Sequence, residues 1–350
     1  MKPCSVNFLS YESAIAGYLN AGLNVRFQEG YVTFNDRILQ LRCASNFKQS
    51  KDVLVLGSST TLQIRQHHFI GQSIFNHSLR RGVLEDIIAV YQIHRALGFK
   101  PKFVIIGVDS WIFDPNHWKS YWPSLFKQFF RITSDWNINL RQDEYWHTAA
   151  NRWRSILHAP LEKAFWKSLV SLGSRYTSTP RFSPTCDDFT DDYTKRADGS
   201  VGYHLSFRGA SADEISAKIR GSIALPRFHV SRLYQQALET FTCRLLDEGV
   251  RVAFFVPPHH PAVFELYSGN TQGNPVGGLV DYIANLEQVE TFVRTELGGR
   301  GATVLGSFRP SNFDLGSDDF YDWIHPKAVS YTHLRAHETK ANLVCRLLLE

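Results

Sequence analysis

The sequence predicts an α/β protein in which a doubly wound parallel sheet is covered by helices on both faces. Short apolar runs of strand length alternate with amphipathic stretches of helical length, which is typical of that architecture. The run VLVL at residues 53–56 is apolar throughout, as expected of a strand buried on both faces. With 350 residues, of which 43% are hydrophobic, the chain can bury a core large enough for this fold.

The predicted elements follow one another in a regular order. The strand at residues 53–56 is followed by a short strand at 73–75, an amphipathic helix at 83–97 that stops at Gly98, and a strand at 103–106. Downstream come a helix at 230–246, a strand within VRVAFFVPP, a helix at 279–297 and a short strand within ATVLG.

Residues 114–222 interrupt this alternation. They are rich in Trp, Asp, Ser and Pro, and we predict a large insertion there, after the third strand. The chain is accordingly divided into a lead-in segment, residues 1–50, and a main domain, residues 51–328, that contains the insertion.

The final segment, residues 329–350, has an unusual sequence. VSYTHLRAHETKANLVCRLLLE resembles the in-frame translation of a transposon-type DNA-sequencing adapter. We therefore expect it to be an artefact and leave it out of the fold and the function, as one does with an expression scar. The alternative is a genuine amphipathic helix that uses Leu343, Leu347 and Leu348.

Composition excludes several classes of protein. The balance of 38 Lys and Arg against 33 Asp and Glu is only mildly basic, and the scattered charges argue against a dedicated nucleic-acid binder. The five cysteines have no CxxC spacing, so neither a zinc site nor a redox pair is indicated, and no cofactor is predicted. No apolar run approaches the roughly 18–20 residues of a membrane helix, and the N-terminus lacks the apolar block of a signal peptide.

The carboxyl ends of the predicted strands are polar or rich in glycine. They carry GSSTT, NHSLRRG, GVDSW, VPPHH and GSFRP. Ligands of open parallel sheets bind beyond these ends, so a site is expected there. Near the end of the main domain, DFYDWIHPKA places Asp322 three residues before His325. This spacing lets the carboxylate bond one ring nitrogen and leaves the other to act as a general base, which a serine nucleophile needs.

Read in order, these motifs resemble those of the SGNH (GDSL-type) hydrolase superfamily. They are Gly57-Ser58-Ser59, the block from Asn76 to Gly82, Gly107-Val108-Asp109, and Asp322-x-x-His325. The similarity is greatest to the envelope branch that includes DltD-like and alginate-acetylation proteins, and it covers residues 51–328. It implies a flavodoxin-like, three-layer fold. It also implies that the protein is located in the cell envelope or periplasm.

The resemblance also implies roles for individual residues. Ser59 corresponds to the nucleophile, His325 to its base and Asp322 to the residue that orients the base. The backbone amides of Ser59 and Gly82 correspond to the donors of an oxyanion hole.

Two further residues of these blocks have open roles. Asn76 is either part of the oxyanion or substrate site or a residue that bridges a turn. Asp109 stands where the family usually has Asn, whose side chain donates to the oxyanion. An ionised carboxylate cannot donate, so Asp109 either holds a neighbouring loop or is buried and protonated.

The predicted function is that of a serine-dependent O-acyl esterase or O-acetyltransferase. It would act on a carbohydrate or envelope polymer through an acyl-enzyme. The alternative is a non-catalytic protein of the same fold that binds polysaccharide or a membrane acyltransferase partner. A nucleotide-binding α/β protein is disfavoured because neither GxGxxG nor a P-loop follows a strand.

Other side chains near the predicted site have two interpretations each. His259 and His260 either form a rigid loop after two prolines or ligate a metal. Arg80 and Arg81 are surface charges or contacts for an anionic substrate. A group of aromatic residues after the third strand either stacks on sugar rings or forms a core: Trp111, Phe113, Trp118, Tyr121 and Trp122.

Overall fold

The computed structural model describes residues 11–28, 34–116, 122–140, 182–188, 190–209, 211–221, 229–268, 277–327 and 330. Trp118 and Tyr121 lie outside these residues, as do much of the predicted insertion and nearly all of the final segment.

The described helices and strands alternate along most of the chain. The helices are α1 (Tyr11–Asn20), α2 (Asp36–Ser45), α3 (Leu84–Ala96), α4 (Phe126–Trp136), α5 (Leu205–Arg208), α6 (Ala212–Gly221), α7 (Arg232–Asp247), α8 (Pro261–Ser268) and α9 (Gly277–Phe292). The strands are β1 (Asn24–Phe27), β2 (Val53–Leu56), β3 (Ile74–Asn76), β4 (Phe103–Gly107), β5 (Phe182–Thr185), β6 (Tyr193–Lys195), β7 (Val201–Gly202), β8 (Arg251–Val256) and β9 (Thr303–Gly306).

The centre of the fold is a five-stranded sheet in which all neighbouring strands are parallel. Its order is β3-β2-β4-β8-β9, so the chain moves from β2 to one neighbour and then crosses to the other. This reversal makes the carboxyl ends of β2 and β4 a topological switch point, where open α/β sheets bind their ligands. The mixed α/β class and the parallel sheet flanked by helices are as predicted, and the arrangement is compatible with a three-layer fold.

Successive residues of each central strand point to opposite faces of the sheet, and both faces are buried. Leu54 belongs to a large core that also contains Leu238 of α7 and Ile283 of α9. Val55, on the opposite face, packs with Phe313 from a short 3-10 turn. Burying one such side chain stabilises the fold by about 1.5–3 kcal/mol, which explains why the strands are apolar throughout.

A second sheet joins the beginning of the chain to its middle. It is antiparallel, with the order β5-β1-β6-β7. The inward-facing side chains of β1, Val25 and Phe27, are buried against Tyr193 of β6. Residues 24–27 of the lead-in segment therefore share one sheet with residues 182–185 and 193–202 of the middle segment, the name used here for the predicted insertion at 114–222.

Within the part of the chain that the structure describes, none of the helices combines the length and the apolar character needed to cross a membrane.

Candidate active site

Ser59 lies at the switch point, in the first turn after β2. The turn is a 3-10 helix, Ser59–Thr61, capped by the Ser58 side chain, which accepts a bond from the amide of Thr60. Gly57 has to be glycine because a Cβ atom there would come within 2.5 Å of Thr61 Oγ1 and 3.2 Å of the Gly107 backbone. Glycine here permits the close approach of the ends of β2 and β4, and the chain turns directly after it.

The turn at residues 320–326 brings His325 to Ser59. Asp322 Oδ1 accepts bonds from the backbone amides of Ile324 and His325, each of 2.9 Å, so the carboxylate organises the turn. Its other oxygen lies 2.7 Å from His325 Nδ1. His325 Nε2 lies 2.9 Å from Ser59 Oγ. The structure thus brings together the three side chains predicted as nucleophile, base and orienting acid.

The charges of this pair support each other. Burial disfavours the ionised form of Asp322, but the charge of His325 and the bond to it outweigh burial and lower the pKa of Asp322. Burial likewise disfavours the imidazolium form of His325. The charge and hydrogen bond of Asp322, assisted by the charge of Asp109, nevertheless raise the pKa of His325 above its ordinary value. His325 is therefore a stronger base than a free imidazole.

Asp109 lies beneath the serine turn, with its side chain fully buried. Its carboxylate accepts a bond from Ser58 Oγ and another, of 2.9 Å, from Thr60 Oγ1. Burial raises the pKa of Asp109 to about 6, against the lowering effect of these two bonds and of His325. The carboxylate thus holds both residues that flank Ser59, which supports the interpretation that Asp109 holds a neighbouring loop.

Gly82 is next to the serine turn, but its amide is directed elsewhere. The N–H group donates to the carbonyl of Leu79 over 3.0 Å, in a tight turn of the backbone. A Cβ atom at this position would lie 2.6 Å from the Gly57 carbonyl, so glycine permits the close approach of the two loops. In this structure the Gly82 amide is bonded to the backbone and the glycine serves the packing of the two loops, while its role as an oxyanion donor stays a prediction.

Asn76 is fully buried at the end of β3. Its amide donates to the carbonyls of Thr61 and Ile64, each over 2.8 Å, and its oxygen accepts from the amide of Ser78. Both polar atoms of this side chain are thus bonded to the backbone. These bonds support the interpretation of Asn76 as a bridge between the first and second loops.

The backbone amide of Ser59 differs from that of Gly82. It begins the 3-10 turn, and among the described residues no carbonyl or side chain accepts a bond from it. Of the two predicted oxyanion donors, the Ser59 amide is the one whose geometry leaves it available. A donor of this kind contributes roughly 3–4 kcal/mol to the stabilisation of a tetrahedral intermediate.

A buried ion pair that supports the second loop was missed by the sequence analysis. Arg37 of α2 lies 2.6 Å from the carboxylate of Asp86 and also donates to the carbonyls of Arg80 and Arg81. The backbone of Arg81 is left-handed, with φ of 55°, and these bonds help to fix it. Arg80 itself pairs with Asp36 at 2.7 Å, which accounts for its charge without a substrate.

His259 and His260 are buried behind the site. The ring of His259 lies 2.8 Å from the hydroxyl of Tyr282, and burial lowers the pKa of His259 to about 4, so the ring is neutral. Within the described ranges no group of three or more His, Cys, Asp or Glu side chains is placed to hold a metal ion.

The aromatic residues near the site are not those expected. Trp111, Phe113 and Trp122 are buried in the main core, which supports the core interpretation for these three. The rings beside His325 are instead Tyr203 and Phe207, and Tyr321 packs against both of these rings. A local signal existed in GYHLSF and DFYDWIH, but nothing in the sequence indicated that the two segments meet.

Neither a comparison with the models of known protein families nor one with curated proteins gives a match.

Proposed function

We propose that this protein is a serine-dependent acyl-ester enzyme of the SGNH (GDSL-type) superfamily. Its substrate would be an O-acylated carbohydrate or cell-envelope polymer, and the acyl group would pass to water or to a sugar hydroxyl. The observation that carries the proposal is the continuous series of bonds from Ser59 through His325 to Asp322 at the switch point of the sheet.

The first half of the proposed reaction forms an acyl-enzyme. Ser59 Oγ attacks the ester carbonyl carbon while His325 Nε2 takes its proton. The carbonyl π electrons move to oxygen, and the Ser59 amide donates to the resulting oxyanion. When the intermediate collapses, the bond to the alcohol oxygen breaks and His325 returns the proton to that oxygen. Asp322 stays ionised and stabilises the imidazolium.

The second half removes the acyl group by the same steps. His325 Nε2 takes a proton from water or from a sugar hydroxyl, whose oxygen attacks the acyl carbon. The bond to Ser59 Oγ breaks, and the proton passes from His325 to the serine. Water as the acceptor gives an esterase, and a sugar hydroxyl gives a transferase.

The family assignment is supported by the order of the motifs and of the strands. When only the five strands of the central sheet are counted along the chain, their order in the sheet is 2-1-3-4-5. This is the order of the flavodoxin-like doubly wound fold. The four motif blocks come in chain order: the first follows β2, the second and third begin at the last residues of β3 and β4, and the fourth lies beyond β9. We propose that the middle segment, which lies between β4 and α7, is an insertion into this fold.

A second candidate is a non-catalytic protein of the same fold that binds polysaccharide or a membrane acyltransferase partner. A shortage of donors for an oxyanion favours this candidate. The backbone amide of Gly82 and the side-chain amide of Asn76 both donate to backbone carbonyls. Asp109 offers no donor in their place when it is ionised.

Turnover of a small acetyl ester such as ethyl acetate tests the proposal. Ser59→Ala should lower kcat by at least about 10⁴-fold, since the nucleophile is lost. Ser45→Ala, on the exposed surface of α2, removes a hydroxyl outside the site and should leave the rate unchanged. Equal rates in the wild-type chain and in Ser59→Ala would refute the proposed nucleophile.

A further inference from the structure

Three aromatic rings form a continuous surface next to the proposed base. The ring centroids of Tyr203 and Phe207 each lie 6.0 Å from that of His325, and both rings are steeply inclined to the imidazole plane. Tyr203 and Phe207 lie 4.9 Å apart, and Tyr321 lies within 5.6 Å of both. All three are partly exposed. We name this surface, made of Tyr203, Phe207 and Tyr321, the aromatic wall.

Hydrogen bonds attach the aromatic wall to the backbone of both Ser59 and His325. The hydroxyl of Tyr203 donates to the backbone carbonyl of Ser59 over 3.2 Å. The amide of Tyr321 donates to the carbonyl of His325 over 2.8 Å. The wall is thus held in a fixed position relative to the reacting atoms, which is a requirement for a substrate subsite.

The chemistry of the proposed reaction decides which part of an ester meets the wall. His325 Nε2 has to reach the alcohol oxygen in order to give it the proton taken from Ser59. The alcohol part of the ester therefore lies on the imidazole side of Ser59, where the aromatic wall is. The carbonyl oxygen points toward the Ser59 amide.

The nature of the wall indicates the kind of alcohol. Its rings offer apolar faces, and the hydroxyl of Tyr321 lies at the rim of one of them. None of its three side chains carries a charge at neutral pH. The charges of Arg80 and Arg196 reach the tyrosines of the wall, but both side chains are engaged by the protein. Arg80 pairs with Asp36 at 2.7 Å, and Arg196 donates to the carbonyl of Asp188 over 3.1 Å. Such a surface fits a neutral ring that has one C–H face and a polar edge.

We propose that the aromatic wall is the alcohol subsite of the enzyme and that it takes the C–H face of a neutral sugar ring. This inference rests on the proposed acyl-ester activity. It assigns specificity for the alcohol to Tyr203 and Phe207 of the middle segment and to Tyr321 of the turn that carries His325.

A comparison of three esters tests the assignment. Methyl glucoside acetylated at O6 is compared with ethyl acetate, which lacks the sugar, and with ethyl butyrate, which has a longer acyl group. Phe207→Ala should lower kcat/KM for the sugar ester by about 10-fold and change the other two by less than about twofold. Phe207→Tyr should restore the sugar ester. Leu205→Ala, at a residue of the same helix that is 50% exposed, serves as the control and should leave all three esters unchanged.

The outcomes separate the wall from the activity on which it rests. An equal loss with all three esters, or a loss confined to ethyl butyrate, would overturn the alcohol subsite and leave the activity intact. Binding of methyl glucoside, measured by saturation-transfer NMR, needs no turnover. A wild-type chain that cleaves no ester but binds the glucoside, and loses this binding in Phe207→Ala, would refute the activity and keep the wall. Equal binding by both chains would refute the wall.

Discussion

The Nε2 atom of His325 lies 2.9 Å from the Oγ atom of Ser59, although 266 positions separate the two residues in the chain. Ser59 follows the second strand of the fold, whereas His325 belongs to a turn beyond the last one. The parallel sheet brings both to the same edge, since the carboxyl ends of parallel strands share one side. This contact is the basis of the proposed chemistry.

Replacing Asp322 by Asn should impair the base and leave the fold intact. The Asn side chain cannot stabilise the imidazolium and favours the wrong tautomer of His325, so kcat should fall by about 10⁴-fold. Asp318→Asn is the matched control, because Asp318 is an exposed carboxylate of the adjacent turn. Circular dichroism spectra should be the same for both variants. A kcat of Asp322→Asn within about tenfold of that of the control would contradict the orienting role.

Replacing Asp109 by Asn should move the pH profile of kcat/KM to lower pH. The proposed reaction needs neutral His325, so kcat/KM rises with pH as His325 loses its proton. The negative charge of Asp109 raises the pKa of His325, and removing this charge lowers that pKa. The rising limb of kcat/KM should therefore appear at lower pH in Asp109→Asn than in the wild-type chain.

The control for this profile is again Asp318→Asn, whose limb should coincide with that of the wild-type chain. A limb that stays in place in Asp109→Asn, or moves to higher pH, would show that the buried carboxylate does not act on His325.

Replacing Gly82 by Ala should destabilise the protein. The new methyl group would lie 2.6 Å from the backbone carbonyl of Gly57, which cannot move without displacing the serine turn. We expect the free energy of unfolding in urea to fall by about 1–3 kcal/mol. Gly316→Ala, whose methyl group would meet nothing within 4 Å, should change it by less than about 0.5 kcal/mol. Similar values for the two variants would argue against close packing of the loops.

Replacing Arg37 by Met should destabilise the fold by about 3–5 kcal/mol, because Asp86 would remain buried without its partner. Arg42→Met, at an exposed position of the same helix, should have little effect. The double variant Arg37→Met with Asp86→Leu should recover much of the loss, since neither charge is left buried. Chemical denaturation of the four chains measures this, and a double variant that is no better than Arg37→Met would contradict it.

The sequence was informative where the structure is determined locally. The apolar runs of β2 and β4 define buried strands by their composition, and Asp322-x-x-His325 defines a turn by its spacing. The topology of the sheet then brings the ends of β2 and β4 close to this turn. The alternatives for Asp109 also included the supporting role that the structure shows.

The remaining features depend on contacts between distant segments. Arg37 and Asp86 are 49 positions apart, and neither stands in a motif. Tyr203 and Phe207 come from a middle segment without motifs, so their approach to His325 could not be predicted. The direction of the Gly82 amide depends on the backbone of one turn, which the presence of a glycine does not determine. Asn76 was ambiguous because its amide can serve a substrate or the backbone equally well.

The most direct test of the central claim is covalent labelling of the full chain with a fluorophosphonate probe, followed by peptide mass spectrometry. A serine activated by His325 should be phosphonylated at Ser59, and the label should disappear in Ser59→Ala while remaining in Ser45→Ala. A label on any other residue, or a folded wild-type chain that takes up no label under conditions that modify a known serine esterase, would contradict an activated nucleophile at this position.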